Sequence, residues 1–445
     1  MNIILLSGGS GKRLWPLSNE VRSKQFLKFF KRPDNSYESM VQRMFRMIRE
    51  IDSDASVTIA TSEKQVASIK AQLGESVGIS IEPCRRDTFP AIALATTYLH
   101  EIQGVNENEA VVVCPVDPYV EADFFAMLQR LQAQAEKGKA NLTLIGVQPT
   151  YPSEKYGYII PKTTGEIAAV DTFKEKPDVK TAEQYIAKGA LWNAGVFAFR
   201  IKYVLDIAKE ILGTSSYHEL LDNYNNLTKI SFDYAVVEKE RNIQVMRFAG
   251  VWKDLGTWNA FTEAMSDNVV GNAVAADCEN THLINELQIP LIALGVNNLA
   301  IAATPDGILV TDKNSSDKLK NYVLDYRPMY EKRVWGEYQV LDYRIQGDGL
   351  NFLTKHLIIA PRHHISYQTH SHRTEMWTIV DGTGKIILDG VIKKIERGDT
   401  ACIKPGMKHA IIADTELHII EVQIGDELTE EDIERLDWEW NQDGL

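Results

Sequence analysis

Apolar and polar positions divide the chain into three textures. In residues 1–265 short apolar runs alternate with stretches of helical period. Ile3–Leu6, Val57–Ala60, Ala110–Cys114 and Leu142–Val147 read as strands, and Tyr37–Glu50, Pro90–Gln103 and Phe124–Glu136 between them read as helices. Short buried runs separated by helices predict an α/β unit of Rossmann-like build, with a mostly parallel sheet covered on both faces. Such sheets bind ligands beyond the carboxyl ends of their strands, which directs attention to the loops after Leu6 and Cys114.

From Asn272 to Val310 short β-like pieces follow one another with little helix, the pattern of a small β-solenoid or a β-meander. Polar Asp312–Leu319 is expected to start a helix, and Pro328 among charges marks a linker across 325–332. From Val334 to Ile424 strand patterns separated by Gly- and Pro-containing turns predict a small barrel or jelly roll. Acidic Thr429–Trp440 is expected to be helical. The expected division is 1–265, 266–328 and 329–445.

Composition narrows the class. The 445 residues are 44% hydrophobic and 24% charged, as in ordinary soluble proteins. A net charge of −13 argues against nonspecific nucleic-acid or anionic-membrane binding. No window approaches the ~18 apolar residues of a spanning helix, and the apolar run Ile3–Leu6 is too short for a secretion signal, so a cytoplasmic protein is expected. Cys84, Cys114, Cys278 and Cys402 lie far apart without a C-x-x-C pair, as reduced thiols do. Against the acidic whole, residues 1–32 carry Lys12, Arg13, Arg22, Lys24, Lys28, Lys31 and Arg32 with only Glu20 opposing them. This suggests either a focused site for a small anion or a solvated positive surface.

Ser7-Gly8-Gly9-Ser10-Gly11-Lys12-Arg13 directly follows Leu6 at the end of the first strand. Glycines let backbone N–H groups approach phosphates, and Lys12 and Arg13 add charge. The spacing is neither G-x-x-x-x-G-K-[ST] nor G-x-G-x-x-G, and a tight strand-to-helix turn alone would account for the glycines. The longer string GGSGKRLWPLS…SKQFL resembles the signature of the sugar-phosphate nucleotidylyltransferases, in the Trp-Pro form of the mannose-1-phosphate guanylyltransferases. Further strings follow in the family's order: Glu82–Thr88 (EPCRRDT), Tyr156–Ile159 (YGYI), Phe173–Pro177 (FKEKP), Leu191–Gly195 (LWNAG), Ser231–Glu238 (SFDYAVVE) and Trp252–Trp258 (WKDLGTW).

That resemblance implies transfer of a nucleotidyl group from GTP to mannose 1-phosphate, giving GDP-mannose and diphosphate. It implies nucleotide contacts from Leu6, Gly8, Gly9, Ser10, Gly11, Lys12 and Arg13, with Lys24, Glu82 and Arg86. Arg13 and Lys24 would grip phosphates, and Asp117 and Asp254 would hold Mg²⁺. Tyr156, Gly157, Glu175, Lys176 and Asn193 would meet the sugar phosphate. It also suggests a homodimer. Two departures stand out: Ser23 replaces the usual proline before Lys24, and Val116-Asp117-Pro118 lacks the histidine that usually follows the aspartate. Another sugar 1-phosphate or nucleotide, or a regulatory sugar-nucleotide-binding protein, are the competing readings.

In the C-terminal third, His370 and His372 stand at i, i+2, which places both on one face of a strand, with Glu375 nearby and His409 after Pro405-Gly406. Three histidines and a carboxylate could bind a divalent metal such as Zn, Mn, Co, Ni or Fe. The pattern resembles a cupin, and Val334-Trp335-Gly336, Ser366-Tyr367-Gln368 and Ile420–Gln423 resemble the type II phosphomannose isomerase domain. Met376 and Ala413 depart from that family's histidine and asparagine. An active isomerase, a cupin scaffold without activity, and surface histidines without metal all stay open. His363 and His364 are expected to be structural or exposed.

Overall fold

The computed structural model describes residues 1–9, 12–19, 22–323, 327–344 and 351–440. The expected contacts of Ser10, Gly11 and the Lys12 side chain, and part of the 325–332 linker, lie outside the described residues.

The N-terminal unit is built on one nine-stranded sheet. Its order is Gly78–Glu82, Ser56–Ser62, Asn2–Leu6, Ala110–Pro115, Leu191–Arg200, Leu142–Val147, Ile243–Phe248, Ile167–Lys174 and Tyr158–Pro161. The expected strands all form, but the sheet is mixed rather than mostly parallel. The first four strands are parallel, whereas Leu191–Arg200 runs antiparallel to both its neighbours. An apolar run buried on both faces does not reveal its direction; the connections set it.

Helices Met40–Ile51 and Ala122–Glu136 cover one face of this sheet and Thr88–Thr97 the other, where Phe89, Ile92, Ala95, Val111 and Val113 share a core. Met40–Ile51 starts at a Ser39 capping box with Gln42, because Tyr37–Ser39 is drawn into a strand pairing. Thr88–Thr97 begins at Asp87, which caps Thr88 N, and ends in a single π-turn at Tyr98–Ile102.

Residues 269–304 form a short parallel solenoid, which Gly307–Asp312 closes by pairing antiparallel to Leu299–Thr304. Ala273–Ala276 pairs with Leu291–Leu294, and His282–Asn285 with Leu299–Thr304, each 18 residues on. Asn280 and Asn298 repeat at that interval with left-handed backbones, and Asn280 Nδ2 donates to Asn298 Oδ1 at 2.8 Å. Stacked coils bury what one coil cannot: Leu283, Ala293 and Ile301 form the inside. The solenoid shares a second core with the nucleotide-loop region through Leu14, Leu17, Phe29, Trp258, Phe261, Ile284, Ala302 and Leu309. It ends in a 3₁₀ helix, Lys313–Asn321, started by Asp312 accepting from Asn314 N.

The C-terminal unit is all β. A six-stranded and a five-stranded antiparallel sheet face each other over Leu353, Leu357, Trp377, Ile386, Ile411 and Ile419. The expected helix over Thr429–Trp440 is not found. Glu430–Asp432 is one 3₁₀ turn and Ile433–Arg435 is a strand added to His364–His370. Ladder pairing and the Asp432–Arg373 ion pair at 3.3 Å override a sequence that looks helical. The three parts meet at Arg22. It donates two 2.6 Å hydrogen bonds to Glu286 and lies 5.9 Å from the centre of the Tyr330 ring.

Candidate functional site

The nucleotide loop leaves the sheet at Leu6, beside the parallel strand ending at Pro115. Ser7 is fixed from below: its N–H donates to Ala60 O, and its hydroxyl accepts from Gln25 Nε2 at 3.1 Å. Ser23 is buried and its hydroxyl accepts from Gln65 Nε2 at 2.7 Å, which fixes the side chain just before Lys24. Arg85 Nη2 donates to Gly9 O at 2.9 Å, joining the Glu82–Thr88 segment to the loop. Arg86, expected at the nucleotide, donates from Nη2 to Asn225 O. Glu82 accepts from Tyr224 at 2.8 Å, and burial pushes its carboxyl up to about 7.

Two aspartates 137 positions apart come together through a two-stranded ribbon. Pro118–Val120 pairs with Trp252–Asp254, and Asp254 lies opposite Pro118, the neighbour of Asp117. Lys24 Nζ is 3.0 Å from Asp117 Oδ2 and 3.3 Å from Leu255 O. Burial works against the Asp117 charge, but Lys24 and Arg13 outweigh it and hold this carboxyl below its ordinary range. Asp254 moves the other way: burial, reinforced by Asp117, raises it despite Lys24 and Arg13. Gly256 leaves room at this corner. A Cβ there would lie 3.0 Å from Asp254 Oδ1 and 3.1 Å from Arg13 Nη1. Arg13, Lys24, Asp117 and Asp254 thus gather at one place. Two carboxylates open to a phosphate-bearing ligand form an oxygen donor set that suits Mg²⁺.

Beside this corner opens a cleft of about 590 Å³ whose lining includes Arg13, Tyr156, Lys176, Trp192, Trp252 and Asp254. The Tyr156 ring packs on both indoles, at 4.8 and 5.7 Å. Both indole N–H groups are buried without a hydrogen-bond partner among the described residues. Behind the wall, Lys176 Nζ is 2.6 Å from Glu175 Oε1, and Asn193 N donates to Gly157 O at 2.8 Å. A Cβ on Gly157 would come 2.5 Å from Glu175 Oε2, so the glycine lets the carboxylate in. Asp233 was missed by sequence reasoning as a site residue, although it stands in the SFDYAVVE string. It accepts from Asn193 Nδ2 at 2.7 Å, and burial with the nearby Glu175 charge pushes it up to about 7.

The second candidate site lies inside the C-terminal unit. His370, Glu375 and His409 are buried, and one ligand atom from each lies within 4.8 Å of the others. Both His370 nitrogens and His409 Nε2 lack hydrogen-bond partners among the described residues, which fits a site shaped for a metal ion. Burial opposes the Glu375 charge, but His370 and Arg373 hold this carboxyl well down, with Arg373 Nε donating at 2.8 Å. Glu421 shares the network through Trp377 and Gln423, and burial beside Glu375 pushes it up to about 8.

His372 does not join this cluster. Its strand ends at His370, and the Ser371-His372 turn breaks the alternation on which the i, i+2 argument rests, leaving His372 half exposed and 3.6 Å from Asp426. Gln368 is the residue that spacing should have favoured, because it precedes His370 by two, is buried, and pairs opposite His409.

A mixed α/β sheet with a basic glycine loop and a convergent aspartate pair defines a nucleotidyl-transfer fold. The nucleotidyl transferase family model matches residues 2–269, and the model for the mannose-6-phosphate isomerase C-terminal domain matches 319–438. The chain belongs to the nucleotidyl transferase family, in the branch that carries this isomerase-type domain behind the transferase domain. It is 31% identical to a mannose-1-phosphate guanylyltransferase of Salmonella montevideo, covering 97% of this chain and 98% of that one. It is 30% identical to the xanthan biosynthesis protein XanB of Xanthomonas campestris pv. campestris (strain B100), over 98% and 97%. Among solved structures it resembles one from Thermus thermophilus described as a mannose-1-phosphate geranyltransferase, with a TM-score of 0.60 and 28% identity. That match covers 72% of this chain and 97% of that one.

Proposed function

We propose that this chain transfers the guanylyl group of GTP to α-D-mannose 1-phosphate, releasing diphosphate and forming GDP-mannose. The observation that carries the reading is the convergence of Asp117 and Asp254 with Lys24 and Arg13 beside the glycine loop. The full-length likeness to named guanylyltransferases supports the choice of substrates.

In this reading a phosphate oxygen of the sugar attacks the α-phosphorus in line. A new P–O bond forms as the bond to the bridging oxygen of the leaving diphosphate breaks. Asp117 and Asp254 would hold Mg²⁺, whose charge would offset that of the triphosphate. Arg13 and Lys24 bind phosphate oxygens, and the Tyr156–Trp192–Trp252 wall orients the sugar, so that positioning and charge supply most of the acceleration. The test is diphosphate release from full-length protein with each nucleotide and sugar phosphate in turn. Turnover fastest with GTP and mannose 1-phosphate is expected. Tight nucleotide binding without turnover for any pair would favour a regulatory binding protein.

We further propose a divalent metal held by His370, Glu375 and His409 and a mannose-6-phosphate isomerase activity in the C-terminal unit, supported by the buried nitrogens of His370 and His409 Nε2, which lack hydrogen-bond partners among the described residues. Mannose 6-phosphate isomerisation and metal analysis of the same protein test it. The division at 265 and 328, a cytoplasmic location and a homodimer belong to the same reading. Among the described residues no helix is long and apolar enough to cross a membrane. The exposed Val274, Ile292 and Leu294 on the solenoid's outer face offer a second copy an apolar surface.

A further inference from the structure

Part of the lining of the transferase cleft does not come from the transferase domain. It comes from the 3₁₀ helix that closes the solenoid, whose Ser316, Asp317 and Lys320 line the cleft together with Arg13, Lys155 and Asp254. These residues lie beyond the stretch matched by the nucleotidyl transferase model. The helix is firmly seated. Lys313, at its start, is buried and donates from Nζ to Asn280 Oδ1 at 2.8 Å, and lies 2.9 Å from His282 Nδ1. Ser316 Oγ donates to Lys313 O at 2.8 Å, tightening the first turn.

The cations of the cleft are not equally committed. Lys176 is tied to Glu175 at 2.6 Å and Lys253 to Glu263 at 3.3 Å. Arg13, across Gly256 from Asp254, also has no ion pair within 4.0 Å among the described residues, but the reading above already assigns it to phosphate oxygens. Lys155 and Lys320 have no ion-pair partner within 4.0 Å among the described residues, and they enter the same cleft from different elements. Both substrates of the proposed reaction are phosphates, and a cleft of this size beside an aromatic wall can hold the sugar phosphate.

We propose that Lys320, with Lys155 from another element of the same cleft, binds the phosphate of the sugar 1-phosphate and positions it for attack. The segment joining solenoid to C-terminal unit is therefore part of the transferase site. This rests on the transferase reading above.

The experiment uses full-length protein with Mg²⁺ and measures initial rates of diphosphate release while mannose 1-phosphate and GTP are varied separately. Losing one charge-assisted contact to a phosphate should raise KM for mannose 1-phosphate about tenfold in Lys320→Ala, with kcat within about threefold and KM for GTP within about twofold. Lys320→Arg should recover most of the loss, and Lys155→Ala/Lys320→Ala should raise KM further. Lys318→Ala, on the same helix but outside the cleft, reports on helix integrity and should match wild type. If wild type turns over and the double variant keeps its KM for mannose 1-phosphate, the assignment of Lys320 is wrong while the transferase reading stands. If wild type turns over no nucleotide and sugar-phosphate pair, the transferase reading itself fails. A Lys318→Ala defect equal to that of Lys320→Ala would also overturn the assignment, because it would reduce the effect to helix packing.

Discussion

Replacing each aspartate of the metal pair by asparagine removes one negative charge and almost no volume, yet the two changes should have opposite effects on stability. Asp117 is held below its ordinary pKa by Lys24 at 3.0 Å, so its charge stabilises the fold; Asp254 is raised by burial, so its charge costs stability. The Asp117 side chain is 41% exposed, so its ion pair is screened and worth less than about 1 kcal/mol. Asp117→Asn should therefore melt about 2 °C lower, and Asp254→Asn at or above the wild-type temperature. Activity should fall in both. Each loses charge stabilisation exercised mainly in the transition state, for which about 10²–10³ in kcat is the usual scale. Diphosphate release at saturating substrates and a melting curve on the same preparations provide both readouts. Near-wild-type kcat in either variant would refute the paired metal site. Equal destabilisation of both would refute the assignment of opposite pKa shifts and leave the catalytic argument standing.

Further tests follow from the geometry of the two sites. Gly256→Ala should lower kcat about three- to tenfold with little change in melting, since its Cβ must push Asp254 and Arg13 apart by a few tenths of an ångström; unchanged kcat would mean that this corner tolerates slack. His370→Ala should strip bound metal, measured by elemental analysis, whereas His372→Ala should keep it; metal loss in both would restore His372 as a ligand. Asp233, raised to about 7, favours its protonated form in the fold, so wild-type stability should decline from about pH 4 to pH 7 on its account. Asp233→Asn should remove up to about 4 kcal/mol of that decline, at about 1.4 kcal/mol per pKa unit, and identical pH–stability curves would disprove the shift.

The strands of the sheet and the meeting of the Asp117 and Asp254 segments were legible because their signals are local: apolar runs, a glycine loop, and strings that keep family spacing. What escaped depends on contacts distant in sequence. The direction of Leu191–Arg200 is decided by its neighbours, not by its own apolar residues. His372 was misplaced because a period-two argument holds only while the strand lasts, and this strand ends at His370. Ile433–Arg435 became a strand because His364–His370 offered it an edge. Asp233 acquires its raised pKa from burial and from Glu175, neither of which a single string discloses.

The bidentate grip of Arg22 on Glu286, with Tyr330 stacked beside it, ties the basic stretch before Lys24 to both later units. A chain cut where the transferase model ends at residue 269 would lose Glu286, and with it the anchor of the stretch that presents Lys24. Arg22 is thus a keystone between the three parts, and cutting the enzyme into minimal pieces should weaken the very corner such pieces would be made to isolate.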